Sequence, residues 1–297
     1  MSAMRGSGFH LTAEETRLFK EQGYIVRPNV LSAREVDLLR RALTPAELRQ
    51  DRQPLARHKI DALWRQLVRH ARVAGPVGEL FGGVPCVVQS MIAFKPRARP
   101  GRQARNGIAL HQDQQYIKTK PAGVIGCWVA LDHTDAGNGG FMVVPASHCK
   151  GLLTSRSREG RHFQSHSVVQ HMRDCDGKEW HETADTFEIP GVNWDNAIAL
   201  NIPKGGAVYF DGFLVHGSRS NTAEDRDRLA VAIHFVKQGT WVYRVDLNDV
   251  FPVRRTVREL RRRGNGAPRS AGRHRPNDRG ERANRRKAGT RRRYSSS

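Results

Sequence analysis

Leu110-His111-Gln112-Asp113 is the stretch from which the rest of this chain is read. Side chains two apart on an extended strand point to the same side, so one short segment presents His111 and Asp113 together. Two histidines and one carboxylate on one face of a metal leave its other positions open, the ligand set of a non-haem Fe(II) site. The third ligand must then come from a strand distant in sequence and adjacent in space. His216, in Phe213-Leu214-Val215-His216-Gly217-Ser218, sits after such a strand, and Arg228 opens another, Leu229-Ala230-Val231-Ala232-Ile233-His234-Phe235. So wide a separation between candidate ligands points to a β-barrel site.

The periodicity on either side agrees. Thr12-Ala13-Glu14-Glu15 and Ser32-Ala33-Arg34-Glu35 are capping boxes, predicting one helix to about Gln22 with a stop at Gly23 and a second to about Ala42 or Leu43. Tyr24-Ile25-Val26 reads as a strand between them, and Leu63, Trp64, Leu67 and Val68 predict a third helix over about Ile60 to Val73. From Cys86 the pattern changes to short β-runs at 87–94, 123–131, 140–144, 206–210 and 229–236, separated by Gly- and Asn/Asp-rich turns. The fold expected is mainly β with flanking α-helices, a barrel or sandwich buttressed by the N-terminal helices. Residues 150–203 are polar and irregular, with His162, His166, His171 and His181 scattered through them. In a barrel enzyme such a segment serves as a lid over the mouth.

The net charge of +21 over 297 residues suggests a polyanion partner until it is located. Residues 254–297 hold 17 Lys or Arg against 3 acids, net +14, leaving +7 for residues 1–253. The body is therefore an ordinary, mildly basic globular domain. The tail, nearly devoid of large apolar residues after Leu260, is expected to be disordered. It could hold polyanions through Arg261-Arg262-Arg263, Arg285-Arg286-Lys287 and Arg291-Arg292-Arg293, but with Tyr294 as its only aromatic it offers no stacking platform, so specific nucleic-acid recognition is not expected. A binding protein working through this tail is the rival to an enzyme. Cys86, Cys127, Cys149 and Cys175 lack CxxC spacing and read as buried free thiols. With neither a signal core nor an apolar run long enough to span a membrane, the expected location is cytoplasmic. No GxGxxG, P-loop or Gly-x-Ser-x-Gly motif suggests a nucleotide fold or a serine hydrolase.

Met91-Ile92-Ala93-Phe94-Lys95-Pro96, His111-Gln112-Asp113, Cys127-Trp128-Val129-Ala130-Leu131-Asp132, Asn138-Gly139-Gly140, Val144-Pro145-Ala146-Ser147-His148, Lys204-Gly205-Gly206 and His216-Gly217-Ser218 fall in one order. In that order the chain resembles the phytanoyl-CoA dioxygenase family of Fe(II)- and 2-oxoglutarate-dependent oxygenases over most of residues 10–240. The resemblance implies a double-stranded β-helix, the cupin-like jelly roll, with His111, Asp113 and His216 as iron ligands. It implies a small-molecule substrate hydroxylated at an unactivated C–H bond with O2, while 2-oxoglutarate leaves as succinate and CO2. Desaturation, epimerisation or cyclisation would use the same C–H chemistry. Because Asp113 is retained where halogenating relatives carry a small residue, the resemblance disfavours halogenation.

The far carboxylate of a 2-oxo acid needs a cation, and guanidinium pairs with carboxylate in a planar, bidentate way. The resemblance matches Arg228 to the family's co-substrate arginine; Arg226 and Arg219 are neighbours that spacing alone leaves open. It matches Trp128 and Met91 to positions lining the co-substrate pocket, although core packing suits both. Ser218 fits either a hydrogen bond to the co-substrate or a turn. His148 and His234 read as turn and core residues. Lys95, Arg97 and Lys118 read as exposed cations, available to an anionic substrate or simply solvated, and Gln112 and Gln114 stay open between site and solvent.

Overall fold

A computed structural model of the chain describes residues 10–48, 55–101, 104–157, 168–184 and 187–253. Thr12 and Ser32 cap α1 (Ala13–Gln22) and α2 (Ala33–Arg41) through reciprocal bonds with Glu15 and Glu35. Gly23, at φ 83°, takes the left-handed turn that ends α1. Two single turns follow, α3 (Pro45–Leu48) and α4 (Arg57–Ile60).

The single helix expected over 60–73 is instead two, α5 (Ala62–Arg69) and α6 (Ala71–Phe81). The break is His70, with an extended backbone (φ −57°, ψ 131°) and a ring Nδ1 that accepts from the Arg72 amide as the cap of α6. Pro76 lies inside α6 and cannot donate to the carbonyl of Arg72. The Tyr209 hydroxyl donates to that carbonyl instead, so the sheet satisfies the group the proline orphans.

The strands in chain order are β1 (Tyr24–Arg27), β2 (Pro85–Lys95), β3 (Ile108–His111), β4 (Thr119–Lys120), β5 (Ile125–Ala130), β6 (Met142–Val143), β7 (Arg156–Ser157), β8 (Val168–Arg173), β9 (Glu179–Ala184), β10 (Phe187–Glu188), β11 (Ile198–Ala199), β12 (Ala207–Asp211), β13 (His216–Ser218), β14 (Arg228–Lys237), β15 (Trp241–Val242) and β16 (Phe251–Pro252). One more helical turn, α7 (Asp113–Tyr116), follows β3. The larger sheet runs β1-β12-β5-β14-β2-β16 and the smaller β11-β6-β13-β3, each antiparallel throughout. This is the jelly-roll architecture expected, mainly β and backed by the N-terminal helices.

Alternation along the strands divides the interior. Leu229, Val231, Ile233 and Phe235 of β14 face the helices and pack with Val36, Trp64, Leu67 and Val77. The intervening Arg228, Ala232 and His234 line a cavity on the other face, where Trp128 and Phe210 of the larger sheet meet Phe141 and Val143 beside the smaller one. The sheet thus has a dry face that holds the helices and a second face that builds a site.

Between residues 150 and 203, where the sequence pattern is irregular, the structure places the β8–β9 hairpin and the β7–β10 pair. Residues of β9 alternate between exposed and half-buried, so no hydrophobic period announces the hairpin. Backbone bonds from Arg173 to Tyr243 (2.7 Å) and from Val245 to His171 (2.9 Å) fasten β8 to the segment after β15. His162, His166 and the 254–297 tail, with its expected disorder, lie outside the described residues. None of the four cysteines forms a disulfide; Cys86 and Cys127 are buried as expected, but Cys149 and Cys175 are exposed. Among the described residues no helix is long and apolar enough to cross a membrane.

Candidate active site

β3 and β13 pair so that His111 stands opposite His216. Each imidazole Nδ1 faces a backbone carbonyl two residues back, Ala109 at 2.8 Å and Leu214 at 2.9 Å. A carbonyl only accepts, so each Nδ1 carries the proton and each Nε2 is left with its lone pair. Backbone contacts of this kind fix the tautomer of metal-binding histidines. The Nε2 atoms of His111 and His216 lie 3.5 and 3.6 Å from Oδ1 of Asp113, and the candidate ligand atoms all lie within 4.8 Å of one another. Cis ligands bound at about 2.1 Å stand about 3 Å apart, so a small contraction closes this donor set around one metal ion. Nitrogen, nitrogen and carboxylate oxygen with room beside them suit Fe(II).

Asp113 does not continue the strand of His111. β3 ends at His111, and Asp113 opens α7 after the extended Gln112. The two side chains therefore converge through a strand-to-helix corner and not through same-face alternation on one strand. Gln112 holds that corner: its amide donates to the carbonyls of Gly151 (2.8 Å) and Phe213 (2.5 Å) and accepts from the Leu153 amide (2.8 Å). Gln114 braces the next loop through Ile117, Thr119 and Gly123. Both glutamines bond to backbone and Thr119 rather than to the reaction space.

His234 is the surprise of the site. A strand residue in sequence, it lies with Nε2 2.8 Å from Oδ2 of Asp113, while its Nδ1 is buried without a partner. Burial would raise the Asp113 carboxyl, but His234, His216 and His111 outweigh it and hold the group well below the ordinary carboxylate range. Burial and the neighbouring His111 push His216 down to about 4. Aromatic rings fix His216 from behind: Phe141 stacks on it with centroids 5.1 Å apart, and Phe210 lies at 4.6 Å. Phe210 occupies this place because its cross-strand partner is Gly126, where an added Cβ would fall 2.1 Å from the ring.

Farther along β14, Arg228 is 2% exposed, and its guanidinium lies 5.3 Å from the ring of Trp128. Nη1 donates to the Ala93 carbonyl at 3.2 Å, and Nε is buried without a partner. Burial presses this group down to about 9, which still leaves it charged at neutral pH. Opposite it in the β2 register is Lys95, also 2% exposed, donating to Ser218 Oγ at 2.6 Å and to the Arg219 carbonyl. Burial and then Arg228 lower its pKa well below the usual ammonium value. Arg228 and Lys95 thus lie buried side by side, and no described carboxylate hydrogen-bonds to either.

A cavity of about 380 Å³ connects these features, and its walls include His111, Asp113, His216, Arg228, Trp128 and Met91 as well as Ser218. Its size suits a small-molecule site. Arg219 instead lies over Trp194, and Arg226 pairs with Asp135. Of the three basic residues read as exposed, Lys95 is buried; Arg97 pairs with Asp227 and Lys118 with Glu182. Sequence reasoning did not assign His234 to the site and offered Lys95 only as an exposed cation. The Arg228–Lys95 and His234–Gln89 cross-strand registers that carry them depend on pairing invisible in one sequence.

The phytanoyl-CoA dioxygenase family model matches residues 19–230. A phytanoyl-CoA dioxygenase domain-containing protein 1 from Rattus norvegicus is 27% identical over 204 residues, covering 68% of this chain and 62% of that protein. The chain thus spans less than two thirds of that relative's length. Among solved structures, the epimerase SnoN in complex with Fe3+, alpha ketoglutarate and nogalamycin RO aligns with TM-score 0.57 at 17% identity, over 78% of this chain and 86% of that one. The carbocyclase SnoK from nogalamycin biosynthesis aligns with TM-score 0.56 at 21% identity, over 89% and 96%. These two likenesses establish the shared fold.

Proposed function

The chain belongs to the phytanoyl-CoA dioxygenase family, and from that premise we propose that it is an Fe(II)- and 2-oxoglutarate-dependent dioxygenase that hydroxylates an unactivated C–H bond of a small molecule. The observation that carries the reading is the pairing, in one cavity, of a convergent His111–Asp113–His216 donor set with a buried Arg228 that no described carboxylate bonds. In this reading His111, Asp113 and His216 hold the metal. Fe(II), 2-oxoglutarate and O2 supply the power to break a C–H bond, with succinate and CO2 as by-products.

The protein's own contribution is placement. Arg228 offers a planar fork to the distal carboxylate of the co-substrate, and Trp128 beneath it keeps the guanidinium in register. Lys95, across the sheet from Arg228, donates to Ser218 and so fixes a hydroxyl that lines the cavity. Met91 supplies an apolar wall. His234 lies beside the outer oxygen of Asp113, and Oδ1 is the oxygen that faces His111 and His216. The oxygenase domain in this reading is residues 1–253, with a lid-like insertion at about 150–203 whose described strands bring Gln170 and Ala184 to the cavity, and 254–297 is an Arg-rich tail.

The test is turnover. Purified chain supplied with Fe(II), 2-oxoglutarate and O2 is screened across compound classes for succinate above the level without added compound, and product mass is recorded. Gain of one oxygen atom supports hydroxylation; unchanged mass or loss of two hydrogens assigns epimerisation, or desaturation and cyclisation. Absence of 2-oxoglutarate-dependent succinate from folded, iron-loaded protein overturns the reading.

A further inference from the structure

Building on the oxygenase reading, we infer that the substrate is a small carboxylate whose anionic group is held by Arg244. Among the described residues three charged side chains line the cavity: Asp113, Arg228 and Arg244. The first belongs to the metal donor set and the second to the co-substrate. Arg244 is left, 8% exposed, on the segment beyond the far end of β14. Its Nε and Nη2 bond to Asp246 at 3.1 and 2.6 Å, and Nη1 has no partner among the described residues. The Asp246 side chain is 55% exposed, so solvent screens its charge while the guanidinium stays inside.

Two amides stand with it. Gln170 of β8 and Gln89 of β2 are 8% and 7% exposed and line the same cavity. The Gln170 amide makes no hydrogen bond among the described residues, and that of Gln89 reaches only the sulfur of Met91, at 2.8 Å. Backbone bonds between β8 and residues 243–245 bring Gln170 and Arg244 onto adjoining segments. Polar groups held away from water cost free energy unless a partner satisfies them. An oxyanion accepts from Nη1 and from an amide N–H together and pairs its charge with the guanidinium; a neutral carbonyl oxygen accepts the same bonds without that charge, and a cationic group accepts none. Leu55, Tyr116, Ile117 and Ala184 add an apolar wall for a carbon skeleton. The cavity volume of about 380 Å³ keeps that skeleton compact. A substrate without the anion would leave Nη1 with no charged acceptor beside the Asp246 pair, and is disfavoured on that account.

Calorimetry on the full chain loaded anaerobically with Fe(II) and saturating 2-oxoglutarate tests this with matched probes: hexanoate against hexanamide, 4-phenylbutyrate against 4-phenylbutyramide, and hexyl phosphate. Each acid is expected to bind about 10- to 150-fold tighter than its amide, the range for a charged hydrogen bond. Arg244→Gln should erase that ratio while the visible band of the Fe(II)–2-oxoglutarate complex persists. Asp246→Asn, at an exposed position, should widen it. Acid and amide that bind equally or not at all, or a ratio that survives Arg244→Gln, overturn the inference, as does hexyl phosphate binding tighter than hexanoate. Loss of the visible band in the parent protein counts against the oxygenase reading instead, because the acid preference is read from heat.

Discussion

Gly126→Ala is the smallest change that reaches the metal donor set through packing alone. A Cβ at Gly126 would stand 2.1, 2.4 and 2.7 Å from Cζ, Cε1 and Cε2 of Phe210. Carbon atoms in contact sit about 3.5 Å apart or more, so the ring must retreat by roughly 1.4 Å. It has little room to do so. Phe141 lies 5.0 Å from its centroid, His216 4.6 Å and His234 6.4 Å edge-on. Overpacking of this kind costs about 1–3 kcal/mol, which for a domain of this size lowers the melting temperature by about 2–4 °C per kcal/mol. The displaced ring presses on His216, and disturbing the groups that orient a metal ligand weakens metal binding by about 10- to 100-fold. The assay is thermal melting of the apo protein together with anaerobic Fe(II) titration. Phe210→Leu removes the three clashing ring atoms, so the double variant should be more stable than the two single effects added together, by about 1 kcal/mol or more. If Gly126→Ala melts and binds Fe(II) like the parent, or the double variant is simply additive, the packing argument fails.

Arg228→Met should weaken 2-oxoglutarate binding by about 10- to 150-fold, the loss of a charge-assisted hydrogen bond, with Fe(II) affinity little changed; equal losses for both ligands would contradict the division of roles. Gln112→Leu removes three buried bonds at the corner between His111 and Asp113 and should cost about 2–4 kcal/mol at roughly 1 kcal/mol per bond, read as a lower melting temperature. His58 is fully buried with Nδ1 2.8 Å from Ser90 Oγ, and burial, then Lys59, push it to about 4 against the opposing pull of Asp249. The unfolded chain, titrating near its ordinary value, takes up a proton that the folded state refuses. Stability is therefore complete above about pH 6.5 and falls as the pH drops towards 4, by about 2 kcal/mol at pH 5. His58→Leu should flatten that part of the pH–stability curve, and an unchanged slope would contradict the assignment.

What the chain discloses before folding is what local chemistry governs. Both capping boxes, the Gly23 stop and the β-runs of the larger sheet are written in residue type and period, and they lie where the pattern puts them. The break at His70 was not legible, because it depends on a histidine ring capping its own successor and on Tyr209 satisfying a carbonyl far away in sequence. At the site, His111, Asp113 and His216 stand out by type and order, while Arg228 is separated from Arg219 and Arg226 by the family resemblance. His234 and Lys95 do not stand out, since a strand histidine or a lysine gains meaning only from its partner across the sheet. The polar β8–β9 hairpin buries too little to show a period, although it brings Gln170 to the cavity.

The most direct test is an anaerobic titration of Fe(II) into the full chain saturated with 2-oxoglutarate, followed by visible absorption. The account predicts a charge-transfer band that saturates at one iron per chain, is absent from His216→Ala and Asp113→Ala proteins that remain folded, and requires far more 2-oxoglutarate in Arg228→Met. A band that survives either ligand substitution, or none in the folded parent protein, contradicts it.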